Sequence, residues 1–188
     1  MKAAERIETA RLWLSRPESR NAEQIFRRYA SDPDVTRFLG WTRHRSLADT
    51  RAFLAFSAQE WERWPAGPYV IWSRGDGQLL GSTGFGFETP DDAVTGYVLA
   101  KDAWGYGYAT EALAAIVPVA RSVGVKRLTA LCHPQHRVSL RVLEKGGFVR
   151  DATWSGQIEF PNLAPGIRQD VARYELRLEL ISQILPCR

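Results

Sequence analysis

Residues 97–113 read Tyr-Val-Leu-Ala-Lys-Asp-Ala-Trp-Gly-Tyr-Gly-Tyr-Ala-Thr-Glu-Ala-Leu. A strand-like run enters a turn with two glycines, and a small-residue helix leaves it. The first N–H groups of a helix have no partner inside it, and the helix dipole favours negative charge there. Strand, glycine turn and helix start in this order therefore form an anion site. Gly105, Gly107 and Ala109 have little or no side chain, so a phosphate can reach the main chain. The chain is expected to hold a phosphorylated ligand in this turn.

The 188 residues fit one domain, 1–188, which needs no staples because a chain of this size buries about 70% of its unfolded surface. Residues 1–8 are polar and charged where a signal peptide needs an apolar core. The longest apolar run, 112–120, is far short of the ~20 residues of a membrane span. A cytoplasmic protein without membrane contact is expected. The net charge of +4 is diffuse, and its densest segment, 37–51, holds four arginines and one histidine without a long basic run. Nucleic acid is therefore not an expected partner. Cys132 and Cys187 lack the spacing of a metal finger, and no metal is expected.

The hydrophobic pattern predicts a strand at 10–14 and a helix at 18–29, broken by Asp32-Pro33-Asp34. Ser46, with Asp49 in the box position, caps a second helix. Its inner stripe is Leu47, Phe53, Leu54, Ser57 and Trp61, and residues 65–67 end it. Strands at 69–73, 79–87 and 94–101, joined by short turns, make an antiparallel meander. A helix at 110–123 contains Pro118, which kinks it or costs it a hydrogen bond. A strand at 127–132, a helix at 137–145 and strands at 148–154 and 172–179 follow. The intervening residues 155–171 read as a long loop, a length often functional. The elements amount to one mixed α/β (α+β) domain.

Three phosphate ligands fit a glycine turn of this kind. A Walker loop needs a Gly-Lys-Ser/Thr ending, which is absent. A dinucleotide fold needs a third glycine or alanine and an acid about 20 residues on. Here Thr110 takes the third position and the later region, 125–127, is basic. Coenzyme A is the third option. The run from Trp104 to Leu113 resembles the pyrophosphate loop of the GCN5-related N-acetyltransferases, nearest the subgroup that acetylates ribosomal-protein N-termini. Residues 134–148, Pro-Gln-His-Arg-Val-Ser-Leu-Arg-Val-Leu-Glu-Lys-Gly-Gly-Phe, are similar to a second signature of that family. The two motifs occur in family order, and the resemblance spans nearly the whole chain.

The resemblance implies a mostly antiparallel sheet of six to seven strands with a splayed strand pair, flanked by about four helices. It implies direct transfer of an acetyl group from acetyl-CoA to an amine. The strands at 94–101 and 127–133 would splay, leaving main-chain groups at Val98, Leu99 and Ala100 for the pantetheine arm and the thioester carbonyl. Pyrophosphate would sit on the N–H groups of Trp104, Gly105, Tyr106, Gly107, Tyr108, Ala109 and Thr110. Trp104 stands where the family usually has Gln or Arg, so the backbone carries the phosphate; equally, Trp104 packs the turn as a wall residue. The family's acidic Tyr is Leu143 here, which leaves Ser139 to serve the departing sulfur. His136 and Ser139 share a helix face and could both reach the cofactor.

Candidates for deprotonating the amine are His136, Glu88, Glu111, His133 and Glu159, of which Glu88 is the first choice among the carboxylates. Glu111 has a structural reason to be where it is, since a helix N-terminus favours an acid. Phe38, Trp41 and Phe85 are the candidate acceptor contacts, set against the fact that most aromatics in such a chain are core. The acceptor is either a protein N-terminus or a small-molecule amine. A CoA-binding module without transferase activity is the alternative, and the chain would be a monomer or a homodimer.

Overall fold

A computed structural model describes residues 2–152 and 155–178. Strands β1 (Arg6–Glu8) and β2 (Leu12–Ser15) form a hairpin in which Leu12 and Leu14 turn inward. The chain then enters α1 (Ala22–Ile25), which widens into a π-helical segment, Phe26–Ala30, and buries Tyr29. Helix α2 (Pro33–Thr36) is capped by Asp32, whose carboxylate accepts from the N–H groups of Asp34 and Val35. Helix α3 (Leu47–Arg63) starts at the capping box of Ser46 and Asp49. Its buried residues Thr50, Leu54, Ser57 and Trp61 recur every three or four positions and form one face.

Strands β3 (Pro68–Ser73), β4 (Leu79–Phe87) and β5 (Asp92–Leu99) form the meander. After it come α4 (Tyr108–Ser122), β6 (Arg127–Cys132), α5 (Arg137–Lys145) and β7 (Val149–Arg150). A short ribbon, β8 (Gln157–Glu159) with β9 (Arg168–Asp170), precedes β10 (Ala172–Arg177). The main sheet has eight strands in the order β1-β2-β3-β4-β5-β6-β10-β7. Every neighbouring pair is antiparallel except β5 with β6, which the crossover through α4 makes parallel. Leu113 and Ile116 of α4 belong to a cluster with Leu12, Ile71 and Leu99 on one side. Ile25 and Tyr29 belong to a second cluster with Val70, Leu79 and Ala100.

The sheet exceeds the six to seven strands expected because β1 pairs as a three-residue edge. Its Arg-Ile-Glu sequence carries one inward residue, too few for an alternation to register. The helix expected at 18–29 is a 3-10 turn, Ser19–Asn21, then α1, then the π segment. The segment expected as a loop at 155–171 contains the β8–β9 ribbon. The strand expected at 148–154 pairs only at Val149 and Arg150, and residues 153–154 and 179 lie outside the described residues. Helix α4 runs on through Pro118. Pro118 and Ala114 are both exposed, so the carbonyl that loses its donor is on the solvent side. Among the described residues no helix is long and apolar enough to cross a membrane.

Trp61 anchors α3 to the sheet. It is 1% exposed, meets Tyr69 edge-on at 5.1 Å and donates its indole N–H to Pro68 O at 2.8 Å. Trp61→Ala is expected to cost about 3–5 kcal/mol in urea unfolding, and Trp61→Phe less. A loss below ~1 kcal/mol for the alanine variant would show that α3 is not held there.

Candidate active site

The ladder between β5 and β6 has three registered pairs, Asp92↔Arg127, Ala93↔Leu128 and Val94↔Thr129, and then stops. β6 pairs with β10 along its whole length, so the opening lies between β6 and the second half of β5. Ala100 donates its N–H to Leu80 O at 2.7 Å. Antiparallel strands alternate between residues bonded to the neighbour and residues turned away from it. With the register Gly81↔Leu99, the main chains of Val98 and Ala100 therefore bond to β4, and those of Tyr97 and Leu99 face the gap. Of the three positions expected to present main chain here, Leu99 does so, joined by Tyr97. The indole N–H of Trp104 donates to Leu99 O at 2.9 Å and ties the turn to the strand.

The turn is built for close approach. Gly105 and Gly107 have φ of 84° and 80°, a left-handed conformation that side chains disfavour. Gly107 is the N-cap of α4 without a side-chain cap, and Glu111 N–H makes the first helical bond, to Gly107 O at 3.1 Å. The N–H groups of Tyr108, Ala109 and Thr110 are the open donors of the helix start. Glu111 turns away from them. Its carboxylate accepts from the Thr9 hydroxyl at 2.6 Å, Arg11 N–H at 2.8 Å and Arg11 Nε at 2.7 Å. Arg11 in turn donates to Tyr106 O at 2.8 Å.

On the far side of the gap, Tyr97 Oη lies 2.9 Å from both the hydroxyl and the carbonyl oxygen of Ser139 on α5. Burial raises the Tyr97 pKa, so its hydroxyl stays protonated. His136, the N-cap of α5, stacks on Phe38 at 4.9 Å. Burial, then the neighbouring His133, lowers its pKa and keeps it neutral near pH 7. His133 packs between Phe38 and Phe160, accepts Gln135 N–H at Nδ1 and meets Gln169 at 3.3 Å.

On the opposite face of the sheet lies a cavity of about 590 Å³ between the π segment, α3 and the lip at residues 41–45. Val98 and Ser82 contribute strand residues to it, so it adjoins the strand that lines the gap. Trp41, His44, Phe53 and Tyr29 line it from the helices and the lip. Asn162 latches that lip to the 155–171 segment: its amide donates to Thr36 O and Trp41 O, both at 2.8 Å, and its oxygen accepts Arg43 N–H at 2.7 Å.

A splayed parallel pair, a glycine turn on a helix start and an adjoining cavity meet around β5. The sequence profile of the acetyltransferase (GNAT) domain matches residues 11–149. The chain belongs to the GNAT acetyltransferase family. It is similar to the uncharacterized N-acetyltransferase p20 of Bacillus licheniformis, 26% identical over 155 residues, 78% of this chain and 86% of that protein. Among solved structures it resembles RimL, the ribosomal L7/L12 α-N-protein acetyltransferase in complex with coenzyme A, at TM-score 0.80 and 19% identity over 94% of this chain and 99% of that one. It also resembles the microcin C7 self-immunity acetyltransferase MccE in complex with acetyl-CoA and AMP, at TM-score 0.77 and 18% identity over 90% and 94% of the two chains.

The acetyltransferase brings Tyr97, Leu99, Trp104, the 105–110 turn, His136, Ser139 and Phe38 around one opening, with Trp41 in the adjoining cavity. Phe85 is elsewhere: it is 4% exposed in the core, 6.0 Å from the Phe87 ring. Glu88 lies beyond Phe87, which pairs with Ala93 at the closed end of the β5–β6 pair, and its N–H donates to Asp92 O. Glu159 is exposed and accepts Gly166 N–H. Tyr97, His44, Arg11 and Asn162 escape a reading of local pattern, because each acts through a partner distant in sequence or through the cavity. Among the described residues no group of three or more His, Cys, Asp or Glu side chains is arranged to hold a metal.

The Glu111 latch makes stability depend on pH. Burial alone would raise its pKa, but the bonds from Thr9 and Arg11 outweigh that and hold it below 4.5. A depressed carboxylate contributes stability above its unfolded pKa and loses it as pH falls through the folded value. Glu111→Gln is expected to cost about 2 kcal/mol at pH 7 and much less at pH 3, measured by urea unfolding. An equal cost at both pH values would contradict a role for the ionised latch.

Proposed function

We propose that the acetyltransferase moves the acetyl group of acetyl-CoA to the primary amine of a small molecule with an apolar or aromatic body. The carrying observation is the strand β5, whose main chain at Tyr97 and Leu99 faces the gap and runs from the glycine turn past the cavity under Val98. Acetyl-CoA supplies the activated thioester. The N–H groups of Tyr108, Ala109 and Thr110 hold its pyrophosphate, as a helix start does for anions. Tyr97 and Leu99 pair with the pantetheine amides in the manner of an added strand, and a gap-facing N–H polarises the thioester carbonyl.

Ser139 and Tyr97 serve the leaving sulfur. Tyr97 donates its hydroxyl proton to Ser139 O and lies 2.9 Å from the Ser139 hydroxyl, so it holds Ser139 in place for the sulfur. His136 and Phe38 stack at the mouth and exclude water. The cavity volume lies within the range of small-molecule sites. Trp41 and Phe53 offer ring faces to an apolar body, and Arg43 and Arg45 stand at the rim without an ion pair among the described residues. A peptide N-terminus is the second reading, favoured by the fold shared with RimL over nearly the whole chain.

Thiol release from acetyl-CoA tests both readings against the non-catalytic module. The amines are tyramine, phenylalanine, spermidine, an aminoglycoside, and peptides beginning with Ser, Ala or Met. Release is expected on an aromatic amine, with kcat about 100-fold lower in Ser139→Ala and acetyl-CoA affinity kept. Release on the peptides alone would favour the second reading, and acetyl-CoA binding without release on any amine would favour the module.

A further inference from the structure

The acceptor amine enters as an ammonium and must lose a proton before it attacks. Glu111 is locked to Arg11 and Thr9, and Glu88 lies at the closed end of the sheet. Within the cavity, Asp49 spends its carboxylate on the α3 cap, accepting the N–H groups of Arg45 and Ser46. Tyr29 is 2% exposed, and its hydroxyl lies beside that of Ser82. Its neighbour in the cavity wall, Ser82, gives its hydroxyl proton to Tyr69 O. Tyr29 and Ser82 form a polar patch in a wall that also carries Trp41, Phe53 and Phe56.

His44 is held from three sides in this chamber. Its main-chain N–H donates to Ala30 O at 3.0 Å, at the end of the π segment. Its Nδ1 lies 2.9 Å from the hydroxyl of Thr50, a fully buried residue of α3. Its ring packs against Trp41 at 5.2 Å and Phe53 at 6.3 Å. In the tautomer that donates from Nδ1 to Thr50, the lone pair resides on Nε2.

We propose that His44 accepts the proton of the acceptor amine, with Thr50 as the positioning residue that holds its ring. The assignment rests on the transferase reading above. One proton passes from the ammonium to Nε2, and the neutral nitrogen forms the N–C bond at the thioester carbonyl. The C–S bond breaks, the sulfur leaves with its electron pair and takes a proton from Ser139. The second amine proton returns to Ser139, and the Nε2 proton goes to solvent. Burial lowers the His44 pKa and Asp49 partly restores it, so the ring is neutral at pH 7. The other charged groups around it are Arg43 and Arg45 of the lip, which also disfavour the imidazolium.

The test is the pH profile of kcat/KM for the fastest amine of the thiol-release panel, in wild type, His44→Gln and Thr50→Val, with acetyl-CoA affinity measured for each. Wild type is expected to lose activity as pH falls through a group below 6.5. His44→Gln is expected to be about 100-fold slower, without that limb and with acetyl-CoA affinity unchanged. Free imidazole is expected to restore activity to His44→Gly. Thr50→Val is expected to move the limb rather than abolish it. A His44→Gln enzyme within threefold of wild type, with the acid limb intact, overturns the assignment. A wild type inactive on every amine overturns the transferase reading and this assignment together, and that arm is read before any variant.

Discussion

The structure depends on a parallel ladder that stops after three pairs. Main-chain N–H and C=O groups inside a protein must find partners, and a sheet normally provides them. Past Val94 and Thr129, β5 and β6 do not provide them for each other. The opposite edge of each strand is paired, β5 with β4 and β6 with β10, so neither can rotate to close the gap without breaking a long ladder. Tyr97 crosses toward Ser139 on the α5 side. An extended amide-bearing ligand is the partner that satisfies such an edge, which is why an acetyl-CoA site and a splayed sheet go together.

Around that opening the chain spends many long-range contacts on placing loops. Arg28 grips Asp102 with two hydrogen bonds and also donates to Leu79 O, which ties the turn after β5 to the first helix. Lys101 pairs with Asp34 across the same junction. Glu111 and Arg11 bind the start of α4 to the β1–β2 hairpin, and Asn162 binds the lip to the segment before β10. Exposed ion pairs such as Lys101–Asp34 contribute little to stability. Their value to the acetyltransferase lies in geometry, since two substrates must meet within bond-forming distance and small misplacements are costly in rate.

The fold was legible in the sequence where the signal is local. The glycine turn could be read because positive φ, a helix start and small residues occupy seven adjacent positions, 104–110. The meander and the α3 cap were legible for the same reason. Tyr97 with Ser139, Arg11 with Glu111 and Asn162 with Trp41 were not, since the partners are 42, 100 and 121 residues apart. Glu88 looked well placed at a strand end, but the register that sets Phe87 opposite Ala93 decides which end. Phe85 and Trp41 are both aromatic residues near glycines, and only burial separates a core ring from a cavity wall. His44 sits in the arginine-rich segment 37–51, and its packing against Trp41 and Phe53, both rings tilted, emerges only when the lip folds over α3.

The most direct test of the account is a calorimetric titration of acetyl-CoA into the wild-type protein and Gly107→Asp, with NAD as the control ligand. The aspartate puts a negative charge and a strained backbone where the pyrophosphate would lie, without touching the cavity. The account predicts acetyl-CoA binding by wild type, at least a 30-fold loss in the variant at unchanged secondary structure, and no NAD binding. Equal acetyl-CoA affinity in both proteins would contradict the placement of the cofactor on this turn.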